Sequence, residues 1–538
     1  MTERAARRAA AVLIAGVAAA FLILAVLIAL AFGYRHFDAF AYGEWSRLIG
    51  ESGDVYEGGP NAVLLHRPLF YVAQGELWHV IGFHVWAGRL LSLSFAVVLA
   101  VALFVLARAR GRDALDGWLA VGVLLVSSVF ATYAFAGLTD VPAAGLVASA
   151  GAATLVGGPS WQRAAAAAAF AALAVLAKPT VLTPLVALAA AAALGPAAGL
   201  AQRVLLRSSP LLGGMALGLV WDVAQARRLD LPLRDFVSAG VEGFWADRAA
   251  AARGDSMLEM GWLGPGLRAL LVFALVYGVA RALAVRHELA AWVGATVGAA
   301  WWFIGPALAD GTFAFYPWAE ASVPSLLAQL ALVGSLFAAP LARAADAPSR
   351  LWCGQLLVWA VPGAVVWLVY RPDDLRLLGA AWPPLVLLVA TSLGTVLAGF
   401  ARIRPGLLLA PVAFVVVLAI ANLASLDGIP RSTWGEIRAV GALGFIDHDR
   451  FAGVGHSPFD DQVAAIRQYA RPEDRIRSTD SRLGFFFPAR VETSYPTACS
   501  DLGAERILVV LQGDETRELM ERAGGTTDTI AWLSLIHI

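Results

Sequence analysis

Long apolar runs alternate with short polar segments along most of the chain, and this pattern predicts a bundle of membrane-spanning helices. A helix that crosses a membrane needs roughly 17–25 mostly apolar residues. Thirteen runs approach or reach that length, at residues 9–32, 90–107, 118–135, 141–156, 161–177, 181–200, 209–226, 267–283, 289–306, 323–339, 351–370, 377–397 and 407–423. The first run follows a basic start, MTERAARR, and is too long for a cleaved signal peptide, so we interpret it as an uncleaved anchor.

The composition supports this class. Of 538 residues, 59% are hydrophobic and 15% are charged, and the mean hydropathy is +0.70. A soluble domain averages nearer ~25% charged residues, so we expect an all-α polytopic membrane protein. The net charge of zero, without a basic patch, argues against a nucleic-acid partner. Alanine, arginine and glycine are abundant while lysine occurs once, which is typical of a GC-rich bacterial genome and indicates the bacterial cytoplasmic membrane.

The distribution of arginines predicts the orientation of the spans. With the N-terminus in the cytoplasm, every predicted cytoplasmic segment carries at least one arginine, as the positive-inside rule requires. The extracytoplasmic face then holds the long segment 33–89, the turns at 139–140 and 178–179, the loop 227–266, and everything after residue 423. The candidate chemistry therefore lies on one side of the membrane.

A change of composition divides the chain into two parts. Residues 1–424 form the predicted transmembrane domain, with 33–89 as its first outer loop. Residues 425–538 have ordinary soluble character, with an amphipathic helix at 461–470, a buried strand at 506–511 and a second helix at 515–523. We expect a small extracytoplasmic α/β domain here. The ending LSLIHI resembles translated sequencing adapter, so we expect this domain to be truncated.

The first outer loop holds the leading catalytic candidate. Asp38 follows the first apolar run by six residues, and a carboxylate so close to the bilayer is costly unless it has a role or a partner. The loop is rich in aromatic and cationic residues, and partial desolvation of a carboxylate there can raise its pKa, which suits a general base. The alternative is a solvated loop residue. We expect surface helices at 39–49 and 69–86, the second with aromatics suited to the interface.

Two further outer turns carry charged residues. Asp140 lies in LTDVPAAG, where it either caps the following helix or helps to hold an acceptor or a metal ion. Lys178 lies in LAKPTVLTP, where it either extends to the interface or neutralises a lipid phosphate. Arg67 and Arg376 are further cations on that face.

No metal site is assigned, and a divalent metal remains an open possibility. His36 and Asp38 are two residues apart and could share a metal with Asp140 or His66. The chain contains no Walker-type or dinucleotide-type glycine loop, which argues against direct use of a cytoplasmic nucleotide.

The order of these segments resembles the GT-C glycosyltransferases, in particular the bacterial relatives of protein O-mannosyltransferases and lipid A aminoarabinose transferases (glycosyltransferase families 39 and 83). The shared order runs FDAFAYGEW, HRPLFY, LTDVPAAG, LAKPTVLTP and DDLRLLGAAWPPLVLL. The chain departs from the family where it has Asp38-Ala39 for Asp-Glu, His66-Arg67-Pro68 for Lys-Pro-Pro, and Arg376-Leu377 for Arg-Tyr.

The resemblance implies an inverting glycosyltransferase that moves a sugar from a polyprenyl-phosphate donor to an acceptor hydroxyl on a lipid, glycan or protein. It implies that Asp38 is the base and Asp140 the second acid. It also implies that Lys178 and Arg376 lie near the lipid phosphate, with Arg67 and His66 in the first loop as further candidates for binding it.

Two other classes of protein remain open. One is a transporter or flippase of lipid-linked or envelope substrates, against which the placement of almost all charges at span ends argues. The other is a non-catalytic scaffold for envelope assembly, which an Asp38 without a cavity above it would favour.

Overall fold

The fold is that of a computed structural model. It describes residues 2–31, 37–53, 68–110, 114–127, 130, 133–134, 137–158, 160–194, 199–228, 230, 232, 347–370, 381–403, 405–424, 466–468, 475–478, 491–492, 507–511 and 536–537.

Helices make up almost all of the described transmembrane part. In chain order they are α1 (Glu3–Ala31), α2 (Phe37–Ser52), α3 (Pro68–Ile81), α4 (Val85–Arg110), α5 (Ala114–Val126), α6 (Asp140–Leu155), α7 (Trp161–Ala177), α8 (Leu182–Ala193), α9 (Ser209–Arg228), α10 (Ala347–Tyr370), α11 (Trp382–Ile403) and α12 (Leu409–Ala424). A helical turn (Leu200–Arg203) and a π-helical segment (Val204–Ser208) lead into α9, and 3-10 turns precede α8 and α12.

These helices confirm a multi-pass membrane protein. Three segments are long and apolar enough to cross a membrane, Glu3–Leu30, Val85–Arg110 and Ala201–Arg228, and six shorter apolar helices of 10–17 residues accompany them within the described residues. The predicted runs at 267–283, 289–306 and 323–339 lie outside the described residues. Each of the other predicted runs coincides with a described helix.

The boundaries of two helices differ from the predicted runs. The run at 118–135 does not form one continuous helix. The α5 helix ends at Val126, the Ser127 hydroxyl accepts a hydrogen bond from the Phe130 amide (3.3 Å), and residues 130 and 133 are helical again. A serine hydroxyl that bonds the backbone competes with the helical ladder, and an apolar count does not register this. Likewise α8, within the run at 181–200, ends at Ala193, and a helical turn begins at Leu200.

Small residues bring neighbouring helices into close contact, which is how helices pack inside a membrane. A Cβ on Gly214 of α9 would overlap the Ala168 carbonyl of α7, and a Cβ on Gly218 would lie 2.7 Å from Val175. The later residue of α9 contacts the later residue of α7, so the two helices run in the same direction.

The α4 and α6 helices are also parallel. A Cβ on Gly145 would lie 2.8 Å from the Phe95 carbonyl, and further along Arg110 donates a hydrogen bond to the Leu155 carbonyl (3.2 Å). The starts of α4 and α6 therefore lie at one end of the bundle and their ends at the other.

The same reasoning places α1 and α7. Arg89 Nη1, near the start of α4, donates to the Ile28 carbonyl near the end of α1 (3.3 Å). The α7 helix packs antiparallel against α6, so its end returns to the start of α6. We call the end with Ile28, Arg89, Asp140 and Lys178 the Lys178 end, and the opposite end the Leu155 end. The α6 helix of 16 residues separates them by about 24 Å.

The first outer loop contains the two predicted helices. Gly75 of α3 lies so close to α2 that a Cβ would be 2.8 Å from the Ser46 carbonyl, and His79 Nδ1 lies 3.0 Å from the Gly50 carbonyl. The prediction of interfacial aromatics is only partly met. Tyr71 and Trp78 are buried, because α3 packs against α2, α4 and α7.

Beyond residue 424 the structure describes four short parallel strands in the order β2-β1-β3-β4. They are β1 (Arg475–Ser478), β2 (Val491–Glu492), β3 (Ile507–Leu511) and β4 (Ile536–His537). The predicted strand at 506–511 is confirmed by β3. The predicted helices at 461–470 and 515–523 lie outside the described residues, except for the helical residues 466–468.

Candidate functional site

Two charged residues that lie far apart in the chain meet at the Lys178 end. Lys178 Nζ donates a hydrogen bond to Asp140 Oδ1, and only 7% of the lysine side chain and 3% of the aspartate side chain are exposed. Burial removes both charges from water, and this desolvation cost offsets much of the attraction between them. Removing either partner would therefore leave the other charge buried without compensation.

Local sequence explains where Lys178 lies. It follows the last residue of α7, and its amide still donates to the Ala174 carbonyl (3.0 Å). The next residue is Pro179, which cannot extend the helix and forces the preceding residue into an extended conformation. Lys178 accordingly has φ −163° and ψ 117°. Its positive charge lies at a helix C-terminus, where the helix dipole favours a cation.

Asp140 occupies the corresponding position on α6. It is the first residue of the helix, where the dipole favours an anion. The sequence left open a capping role for Asp140 in this turn, but the N-cap position of α6 belongs to its neighbour. Thr139 is the N-cap residue, yet its hydroxyl makes no hydrogen bond to any described residue. Each member of the pair thus lies at the helix end that stabilises its charge.

Asp38 is the second residue of α2, which begins six residues after Ala31 at the end of α1. Six residues span at most about 20 Å, which is the upper limit on the distance between these two helix ends. His66, Arg67 and Arg376 lie outside the described residues.

Glu44 is a second acid of α2. It is half-buried, and burial raises the pKa of its carboxyl above the ordinary value. The cause is desolvation, which disfavours the charged form.

Asp222 is a further buried acid at this end. It is 8% exposed and lies four residues after Gly218. Glycines at 214 and 218 face α7, so the four-residue spacing places Asp222 on the same face of α9, level with the end of α7. The spacing Gly-x-x-x-Gly-x-x-x-Asp was the available signal.

An apolar groove runs between α1, α4 and α5. It encloses about 440 Å³ and is lined by Phe21, Ala96, Val101, Phe104 and Trp118, among others. Across the described part of the chain, no three His, Cys, Asp or Glu side chains are grouped as a metal site requires.

The chain is similar to two solved structures of one protein. The first is ArnT from Cupriavidus metallidurans in the apo state, with a TM-score of 0.40 and 15% identity over 96% of this chain and 89% of ArnT. The second is the same protein bound to undecaprenyl phosphate, with a TM-score of 0.42 and 16% identity over 95% of this chain and 89% of ArnT. ArnT is a lipid A aminoarabinose transferase, one of the groups that the sequence resembles.

No protein-family model matches the sequence, and no curated protein matches it. At identities of 15–16% and TM-scores of 0.40–0.42, the similarity to ArnT transfers neither an activity nor the role of any residue.

Proposed function

We propose that this protein is an inverting membrane glycosyltransferase that moves a sugar from a polyprenyl-phosphate donor to an acceptor hydroxyl on the extracytoplasmic face. The observation that carries the proposal is the buried Asp140–Lys178 pair. It brings together two of the residues that the sequence resemblance names.

In this proposal Asp38 removes the proton from the acceptor hydroxyl. The hydroxyl oxygen attacks the anomeric carbon from the face opposite the phosphate, and the new bond forms as the bond to the phosphate oxygen breaks. The electron pair leaves with the lipid phosphate, and the proton stays on Asp38. Charge neutralisation matters more here than a strong acid, because a phosphate is already a good leaving group.

The charges define what each cation contributes. Asp140 and Lys178 cancel one another, so the pair alone offers a departing phosphate no net positive charge. Asp140 would hold the lysine ammonium in a fixed position, and Arg67 and Arg376 would supply the remaining positive charge. His66 would add a further donor beside Arg67. In this arrangement Asp140 is a positioning residue and Lys178 a direct ligand of the phosphate.

The test is transfer of a labelled sugar from a panel of polyprenyl-phosphate donors, in membranes that carry wild type or a variant at matched levels. We expect Asp38→Asn to reduce transfer by about 10²–10⁴-fold, the usual contribution of a general base. The control is Glu44→Gln, which neutralises another acid of α2 and should leave transfer within a few-fold of wild type.

Unchanged transfer by Asp38→Asn would remove Asp38 from the mechanism and leave the proposed activity in place. The activity itself would be overturned by absence of transfer by wild type from every donor in the panel, together with uptake of a lipid-linked substrate by reconstituted vesicles, which would identify a transporter. Size-exclusion profiles of each variant establish that it is folded.

A further inference from the structure

Arginines from three separate elements converge on the end of α6 opposite the Asp140–Lys178 pair. Arg110, the last residue of α4, donates to the Leu155 carbonyl (3.2 Å). Arg163 of α7 donates to the carbonyls of residues 156 (2.6 Å) and 158 (3.1 Å). Arg207 of the π-helical segment donates to the carbonyl of residue 157 (3.1 Å). Three guanidinium groups therefore bind the carbonyl of the last residue of α6 and the carbonyls of the three residues that follow it.

The backbone conformation of Gly157 makes room for the Arg163 side chain. Gly157 has φ +71°, a region that side chains other than glycine rarely adopt. A Cβ at this position would overlap the Arg163 guanidinium, so only glycine lets the arginine cross the end of α6.

These hydrogen bonds give the guanidinium groups acceptors but do not neutralise their positive charge. Their acceptors are neutral carbonyls, and the positive charges of Arg110, Arg163 and Arg203 all act on Arg207. Arg207 is only 6% exposed, and its Nη1 has no hydrogen-bond partner among the described residues. A buried guanidinium with an unused donor and three like charges around it is costly unless an anion completes it.

We propose that Arg110, Arg163, Arg203 and Arg207 form a binding site for one phosphate group at the Leu155 end. Arg207 Nη1 would bind the phosphate from within, while the exposed Arg110 and Arg163 would contact it from the rim. Guanidinium groups present donors in a planar fork that fits phosphate oxygens, which is why arginine clusters recognise this group. The phosphate belongs either to the headgroup of an anionic phospholipid in the adjoining leaflet or to a free phosphate ion.

The positive-inside rule accounts for arginines at this end but not for their geometry. Arginines that only orient the chain can remain solvated, as the exposed Arg8 and Arg108 are. The cluster differs because its members come from α4, α7 and the π-helical segment and meet at four successive carbonyls, and because Arg207 is buried.

The experiment measures the thermal stability and ligand affinity of the purified full-length protein in a neutral detergent. The probes are short-chain phosphatidylglycerol, short-chain phosphatidylcholine and inorganic phosphate. The test variant is Arg207→Gln, and the matched control is Arg108→Gln, which removes an exposed charge from the same end of α4.

We expect phosphatidylglycerol to raise the melting temperature of wild type and of Arg108→Gln, and the affinity of Arg207→Gln to fall at least tenfold. A similar effect of inorganic phosphate would identify the free ion as ligand, and an effect of phosphatidylglycerol alone would identify the lipid headgroup. Binding should weaken with rising salt.

Two outcomes would overturn the proposal: equal affinity of wild type and Arg207→Gln, or no response of wild type to any of the three probes. If Arg207→Gln does not fold, Arg163→Gln at the exposed rim serves instead, with an expected loss of several-fold. Sugar transfer is not measured, so the outcome is independent of the proposed glycosyltransferase activity.

Discussion

The Asp140–Lys178 pair makes a quantitative prediction about stability. The two side chains are 3% and 7% exposed, so removing either one leaves the other charge buried without its partner. Such a loss costs about 3–5 kcal/mol, which we expect for Asp140→Leu and for Lys178→Met. If the two effects were independent, the double variant would lose about 6–10 kcal/mol.

We expect the double variant to be far more stable than that sum. With both charges gone, no buried ion remains, and well-packed apolar replacements of a buried pair are often close to neutral. What remains lost is the interaction of each charge with its helix end, about 0.3–1 kcal/mol apiece. The expected cost of Asp140→Leu/Lys178→Met is therefore about 0.6–2 kcal/mol.

The assay is unfolding of the purified variants in mixed micelles, followed by helical circular dichroism. The matched control is the ion pair Arg47–Glu51, which has a 2.7 Å separation but exposed fractions of 23% and 52%. Glu51→Gln should cost at most about 1 kcal/mol, because an exposed pair is screened by solvent. A double variant of Asp140 and Lys178 as unstable as the sum of its singles would refute the coupling.

The same double variant separates a structural role of the pair from a role in sugar transfer. If it is folded but transfers no sugar, the charged pair is needed for more than stability. If it is folded and transfers sugar normally, the pair is structural, and the phosphate must be bound by other cations. The single variant Lys178→Ala cannot make this distinction, because loss of folding and loss of phosphate binding would look alike.

Two further predictions follow from the packing and from burial. Gly214→Ala should destabilise the protein by about 1–3 kcal/mol, because a Cβ would overlap α7, whereas the control Gly213→Ala, with nothing within 4 Å, should be neutral or slightly stabilising in the same unfolding assay. Because the pKa of Glu44 is raised in the folded state, the folded protein holds its proton more tightly than the unfolded chain, so stability should fall as the pH rises from the ordinary value of 4.5 through the raised one. Unfolding at a series of pH values should show that Glu44→Gln removes this slope, and a slope retained by the variant would assign it to another group.

The apolar pattern predicted the helices well where local signals mark their ends. The run at 161–177 matches α7 because Ser160 accepts a hydrogen bond from the Arg163 amide (3.4 Å) at its start and Pro179 follows its end. The run at 118–135 is not one helix, because α5 ends before Ser127 inside an apolar stretch and residues 130 and 133 are helical again. Hydropathy records affinity for the membrane, whereas a helix ends where its backbone hydrogen bonds change partners.

The residues of the candidate site could be predicted from the sequence, but the contact between them could not. Asp140 and Lys178 could be selected as isolated charges at span ends, but they are 38 residues apart and nothing in the sequence states that they meet. Their contact depends on which helices are neighbours, and hydropathy does not predict which helices pack together. The sequence assigned them separate tasks, whereas the structure makes each the partner of the other.

Burial of α6 explains why charges gather at both of its ends. Every residue from 140 to 151 is buried, so water cannot satisfy the groups that a helix leaves unpaired at its termini. At the Leu155 end the arginines supply donors to those carbonyls, and at the Lys178 end Asp140 carries a negative charge that the helix favours and Lys178 balances. The charges at the Lys178 end cancel, whereas those at the Leu155 end do not. An additional anion is therefore expected at the Leu155 end, while at the Lys178 end a bound phosphate has to draw its positive charge from arginines outside the pair.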